Sequence, residues 1–412
     1  MGVVHLRRQV LFDRERGEHV VPAQRLLPSH GGMLITRRLQ EWACLLGRDF
    51  AFSTAQRLLG WQAGEAPPLS ESEVRRLVCR HGMLLREAAE TEVQALLARP
   101  DLEGLTAQLA PAAPPRRPAA WPAALNEAVA QALARPDAEP PEGVSRADWE
   151  RVLAVRREEP EPPTVAHLAR LGPELAPEQV LVSGDEVLVR QPPKGVFAEL
   201  RTARVATRTG YRYVCGTDGL FLQQLWLVIR LCGGVHALVT FLADGARWLR
   251  EFAQEHLCRL PRCECLLDWY HLVKKVKDRI SRMGGSKEAK QALRRAVVAA
   301  LWNGRSDQAL QRLADYQETA TNPQALAELV EYLQVREAEL PHYRVRRAQR
   351  QYIGSGQVEK ANDLLVARRQ KNRGMHWNIV TSEALARLKT LQLNHEWDAY
   401  WAEGRLPSLV AA

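Results

Sequence analysis

Three carboxylates stand out by their settings: Asp185, Asp244 and Glu359. Asp185 sits inside an apolar run from Val180 to Arg190. Asp244 closes a second run that begins at Ala237, and Gly245 follows it. Glu359 falls just inside a helix opened by Gly354, Ser355 and Gly356. Asp and Glu are hard oxygen donors of the kind Mg²⁺ prefers. A pair of such ions, about 3.5–4 Å apart, is the apparatus of phosphodiester chemistry: one activates the attacking oxygen, the other stabilises the leaving oxygen. Each carboxylate alone says little. In the order strand, strand end, helix they describe a catalytic and metal-binding trio.

Neighbouring residues compete for the same roles. Glu186 adjoins Asp185, but alternate strand residues face opposite sides, so only one of the two can face the metals. Asp218, in a Thr-Asp-Gly sequence, suits a turn. Asp268 ends a third apolar run and is an additional candidate, as a metal ligand, an orienting group or a helix N-cap. His271 is a further candidate for contact with a substrate or a metal-bound water, against a purely structural role. Trp269 and Tyr270 are expected in the core. Downstream of Glu359, the side chains of Arg368, Arg369, Lys371 and Arg373 are candidates for gripping DNA phosphates. The plain alternative is a solvated basic helix end favoured by the helix dipole.

The elements that must position these residues follow from hydrophobic patterning. Strands are expected over Val180–Arg190, Phe197–Thr207, Tyr211–Gly216, Ala237–Ala243 and Cys263–Leu267, with helices over Leu220–Leu231 and Ala246–His256. From Tyr270 to about Ala338 the pattern is helical almost throughout. A βββαβαβ order followed by helices predicts an α/β fold: an RNase H-like mixed five-stranded sheet with a helical insertion at about 270–350. Residues 1–109 read as a mostly helical domain. In it a helix from Ser53 and another capped by Ser70, with Glu73 three positions on, suit a helix-turn-helix. Arg75 and Arg76 would then reach DNA; a plain helical hairpin with an Arg-rich solvated face fits as well. Residues 110–172 are Pro-rich and read as a linker with helical islets at Ala124–Ala134 and Ser145–Arg156. Residues 173–412 would be catalytic.

The chain has 412 residues, a formal net charge of +9 and a pI near 9.3, which favours a polyanionic partner. The excess is local: His271 to His376 holds 21 Lys/Arg against 11 Asp/Glu. The best membrane-span candidate, Leu225 to Ala243, is interrupted by Arg230 and His236, and Met1–Arg8 lacks a signal-peptide core, so a cytoplasmic, nucleoid-associated protein is expected. Seven cysteines lack Cys-x-x-Cys pairing. His256, Cys258, Cys263 and Cys265 have the ligand types of a zinc knuckle, although reduced thiols are the simpler reading.

Three segments together resemble a known family: Leu242-Ala-Asp-Gly-Ala-Arg-Trp-Leu249, Leu266-Leu-Asp-Trp-Tyr-His-Leu272, and Ile353-Gly-Ser-Gly-Gln-Val-Glu-Lys-Ala-Asn362 with Arg373-Gly-Met-His-Trp377. They look like a bacterial insertion-sequence transposase of the DDE type, RNase H-like with an all-helical insertion before the final Glu. The resemblance covers about residues 175 to 390. The gaps of 59 residues from Asp185 to Asp244 and 115 from Asp244 to Glu359 agree with it. It implies a catalytic triad of Asp185, Asp244 and Glu359 holding two Mg²⁺ ions, with Mn²⁺ able to substitute. It also implies DNA cleavage at transposon ends, strand transfer into target DNA, terminal inverted repeats bound by the N-terminal region, and a homo-oligomer on DNA. Two departures are visible. Gly184-Asp-Glu replaces the frequent Asp-Gly of the first motif, and Gln-Val-Glu-Lys replaces the commoner Glu-Ser pairing. The alternatives are a DNA-binding descendant that no longer cuts and an RNase H-like nuclease.

Overall fold

The computed structural model describes residues 11–13, 18–20, 29–30, 33–64, 67–111, 121–135, 138–157, 175–356, 362–371 and 375–411. Two short antiparallel ladders come first, β1 (Leu11–Asp13) with β2 (Glu18–Val20) and β3 (Ser29–His30) with β4 (Met33–Leu34), where helix is expected. Helices α1 (Arg37–Asp49), α2 (Phe52–Ala63) and α3 (Glu71–Leu97) follow. Ser70 and Glu73 form the reciprocal capping box that their spacing predicts, which starts α3 sharply.

The sheet is mixed and six-stranded, in the order β10-β9-β6-β7-β8-β5. Its strands are β5 (Ala110–Pro111), β6 (Gln179–Gln191), β7 (Val196–Ala206), β8 (Gly210–Gly216), β9 (Leu238–Ala243) and β10 (Cys263–Leu267). Five of these match the expected strands. The sixth, β5, comes from the start of the Pro-rich stretch and pairs with the outer edge of β8. A Pro is tolerated there because an edge strand has one side free of ladder bonds.

β6, β7 and β8 are antiparallel, while β9 and β10 run parallel to β6. The first half of β6 is buried on both faces, as a central strand requires. Val180 and Val182 face α6 (Gly219–Leu231) and α7 (Arg247–Glu255) in one core. Val187 and Val189 face a layer of α1–α3 and the C-terminal helix in another. β7 accompanies β6 as far as Gln191, but β9 pairs with it only to Ser183↔Leu242. Beyond that point the sheet opens into a crevice at the carboxyl ends of the parallel strands, the usual ligand position in open α/β sheets.

The insertion forms α8 (Trp269–Arg282), α9 (Lys287–Trp302), α10 (Ser306–Asp315), α11 (Pro323–Val335) and α12 (Tyr343–Ala348), around a core of its own that includes Leu272, Val297 and Leu329. No helix among the described residues is long and apolar enough to cross a membrane.

The last helix, α13 (Ile379–Leu393), packs along α3, while Arg37 on α1 donates to the Trp401 carbonyl at 2.6 Å. The helical region and residues 375–401 therefore share one core, which runs across the boundaries expected at 109 and 172. The two islets, α4 (Ala123–Ala134) and α5 (Arg146–Arg157), dock into it through Trp121, Leu125, Trp149 and Val152.

Asp148 pins α5 to α2: it accepts hydrogen bonds from Thr54 and Ser145, both at 2.7 Å, and pairs with Arg57 at 2.5 Å. Burial alone would push its pKa up, but those hydrogen bonds and the Arg57 charge hold it below the usual carboxylate range. A carboxyl whose folded pKa is depressed contributes stability above its unfolded value of about 3.9 and loses it as pH falls through the folded value. Asp148→Ala should cost about 2 kcal/mol at pH 7, because it strands buried donors. Urea unfolding of both proteins should show that difference narrowing below about pH 4.

Candidate active site

The mouth of the crevice is a row of aspartates. Continuing the β6–β9 register one step past Gly184 sets Asp185 level with Asp244, and the β9–β10 register sets Asp244 level with Asp268. The Asp268 N–H donates to the Ala243 carbonyl at 2.7 Å, so the second ladder does reach this level. Adjacent strands are about 4.8 Å apart. Gly245 then turns the chain with φ +91°, a conformation open to glycine, and a side chain there would press on Tyr332 and Arg336.

Asp185 and Asp244 are half-buried and close enough to interact. Burial is the main reason the Asp185 pKa is raised, and the Asp244 charge raises it further. The Glu186 N–H, His271 and Asn362 pull it back down. Among the described residues neither aspartate has a Lys or Arg in an ion pair. Glu186 pairs in register with Arg201 on the other side of the strand, as alternation requires.

Asp268 is fully buried and its carboxylate is already occupied. Oδ1 accepts the His271 N–H at 2.8 Å, which makes Asp268 the N-cap of α8. Oδ2 accepts both the backbone N–H of Ser355 and its hydroxyl, the latter at 2.8 Å. Burial would raise its pKa, but the hydrogen bonds from His271 and Ser355 lower it overall. The His271 ring nitrogen Nδ1 lies 3.2 Å from the same carboxylate, which turns the imidazole toward the row. Asp218 is likewise a cap: it begins α6, accepts the Leu220 N–H at 3.1 Å and pairs with Arg86.

Glu359 lies outside the described residues, in 357–361, and Arg373 lies outside them too. The chain on either side of Glu359 is well anchored. Before it, Ser355 is held by Asp268, and the Trp269 N–H donates to the Ile353 carbonyl at 2.9 Å. Between these, Gly354 slides past Tyr270, whose ring a side chain would meet at 2.7 Å. After it, the Asn362 amide donates to Asp185 while Asn362 accepts the Thr202 hydroxyl. A turn of π-helix, Asp363–Ala367, follows at once.

Three side chains of the crevice wall were not singled out in the sequence. The Arg336 guanidinium stacks 4.1 Å from the Tyr332 ring and donates to the Gly245 carbonyl at 2.8 Å, and the Lys275 ammonium lies 5.4 Å from the same ring. The local excess of Lys and Arg was the only sign of them. Trp269 packs on Trp302 and Tyr343 as expected, but Tyr270 is 62 % exposed rather than in the core. The His256 ring stacks on Trp226 at 5.3 Å. Among the described residues no three His, Cys, Asp or Glu side chains are grouped so as to hold a metal ion. In the described part of the aspartate row, Asp185 accepts the Glu186 N–H and the Asn362 amide, and Asp244 accepts the Ala246 N–H at 2.8 Å, so neither carboxylate is tied to a cation.

The chain matches no protein-family model and no curated protein sequence.

The basic residues divide into two groups. Arg75 and Arg76 are exposed on α3. Arg75 lines an open groove of about 650 Å³ with Ser72, His376 and Asn378, and the groove continues past Arg76 and Arg80. The opposite face of this part of α3 is buried through Val74, Leu77 and Val78, so the helix is fixed in the core while Arg75 and Arg76 face outward. Lys371 is exposed, and Arg368 pairs with Asp363 at 2.8 Å. Arg369 departs from expectation. Its guanidinium is buried between Phe52 and Trp377, at 5.1 and 4.6 Å, and donates to the Gly47 carbonyl at 3.3 Å. Burial lowers its pKa to about 10. It is a core residue and cannot reach a phosphate. Arg369→Ala should cost about 3 kcal/mol of stability, the scale of truncating a large buried side chain, and leave the salt dependence of DNA binding unchanged. Urea unfolding and a salt titration check the two halves.

Proposed function

We propose that this chain is a DDE-type transposase built on an RNase H-like fold, which cleaves DNA at the ends of its element and joins the 3′ ends to a target. The observation that carries the reading is the placement of Asp185 and Asp244 level with each other just past the point where the β6–β9 pairing stops, with the chain on both sides of Glu359 tied to the same aspartate row. The strand order supports it: three antiparallel strands, then two parallel ones added on the other side of the first.

The donor set fits a divalent metal site. Two half-buried carboxylates stand together without a basic ion-pair partner among the described residues; burial raises the pKa of Asp185, and the Asp244 charge adds to that. Asp185 and Asp244 would hold Mg²⁺ or Mn²⁺, with Glu359 as the third ligand; a bound pair supplies activation of the attacking oxygen and stabilisation of the leaving one. The protein's own part is positional. Asn362 and the Glu186 N–H fix the Asp185 carboxylate. Lys275 and Arg336 give the crevice wall a positive charge that draws in a phosphodiester. Arg75, Arg76 and Lys371 supply backbone contacts to duplex DNA, on which the active form is an oligomer.

A labelled fragment carrying inverted repeats from the DNA that flanks the gene, incubated with Mg²⁺, Mn²⁺ or EDTA, tests this. Metal-dependent cuts at the repeat ends are expected, and Asp244→Asn should lower their rate by at least about 10³-fold, the scale of losing a charge-stabilising group. Unchanged cleavage by that variant overturns the site. Binding with no cutting favours the DNA-binding descendant, and preference for an RNA–DNA hybrid favours the nuclease. Arg75→Ala and Arg76→Ala should each reduce the slope of log K against log salt by about one, the signature of one lost phosphate contact.

A further inference from the structure

The sequence leaves Asp268 open as a third aspartate ligand. Its hydrogen bonds assign it a different task. One oxygen is committed to the first turn of α8, and the other accepts two donors from one residue, Ser355. Ser355 is buried at 3 % exposure and lies 87 positions along the chain, after the whole helical insertion. It stands four residues before Glu359. The neighbouring contacts act on the same short stretch: Trp269, beside Asp268, holds Ile353 through its N–H, and Gly354 leaves just enough room to pass Tyr270.

We propose that Asp268 is a positioning residue whose carboxylate clasps Ser355 and so anchors, beside the aspartate row, the chain that leads to Glu359. The clasp has a counterpart at the other end of the segment, where Asn362 bonds to Asp185. One aspartate thus holds the chain at Ser355 and another at Asn362, while Asp244, between them in the row, bonds only to the local Ala246 N–H among the described residues. A carboxylate is suited to the clasp because it is acceptor-only and can take several donors, whereas an amide at the same place presents an NH₂ group toward the Ser355 donors. The inference rests on the metal-site reading of Asp185, Asp244 and Glu359.

The test compares full-length wild type, Asp268→Asn, Ser355→Ala, their double variant and Asp244→Asn. Two readouts are used: hydrogen–deuterium exchange of the peptide covering 353–362 in metal-free protein, and Mn²⁺ affinity by electron paramagnetic resonance. Asp268→Asn and Ser355→Ala should each speed exchange in that peptide several-fold, leave exchange in the β6–β7 core as in wild type, and weaken Mn²⁺ binding about tenfold, the scale of losing a group that orients a metal ligand. The double variant should be no worse than Asp268→Asn, since both remove one clasp. Asp244→Asn should lose Mn²⁺ while exchange in 353–362 stays as in wild type. If Asp268→Asn loses Mn²⁺ with exchange unchanged, and Ser355→Ala binds as wild type, Asp268 is a ligand and the clasp is wrong. If Asp244→Asn keeps wild-type affinity, the metal-site reading fails, and the exchange data alone still decide the clasp.

Discussion

Two carboxylates set side by side and half out of water repel each other, and each loses hydration that a surface position would keep. Left to itself that pair would twist apart or take up a proton. Here it is held by backbone. Asp185 sits in the middle of a thirteen-residue strand, and Asp244 is locked between a parallel ladder and a glycine turn. Neither can retreat without breaking the sheet. The insertion then closes over the turn through Arg336, so the energetic cost of the pair is spread over the sheet and the helices beside it.

Asp268 solves a different problem in the same row. A third ionised group beside the first two would add to the repulsion, yet it is the most buried of the three. Four contacts satisfy it, from the first turn of α8, the His271 ring and Ser355. A buried charge is tolerated when its hydrogen-bonding capacity is filled. The result is an aspartate row divided in purpose: Asp268 is filled by four contacts at one end, whereas Asp185 and Asp244 bond to fewer donors.

What the sequence made legible was local. Five strands could be read because alternation and apolar runs leave a period of two, and α3 because its cap is written within four residues. Asp244 was legible because a strand end is, and Asp185 because it is an acidic residue inside an apolar strand. The partners that define the remaining roles are distant in the chain. Ser355 is invisible from Asp268, and the Phe52–Trp377 sandwich is invisible from Arg369, which in sequence looks like a member of a basic helix end. The islets in the Pro-rich stretch read as isolated because their binding partner, the surface of α1 and α2, lies some seventy to ninety residues earlier. Tyr270 is exposed because its ring rests on a glycine rather than in a pocket, a distinction that composition does not carry.

The shared core of the first and last helices bears on how the chain comes to be folded. α1 needs Trp397 and Trp401, α3 needs α13, and the 106–108 segment bonds to residues 409–411. A nascent chain halted between about residues 268 and 375 would hold all six strands of the sheet but bare, apolar α1 and α3 surfaces that the C-terminal helices have yet to cover. Such a truncated product should be a target for proteases and chaperones rather than a half-working enzyme. The crevice reaches its final shape only late in synthesis, when the polypeptide can be released as a unit.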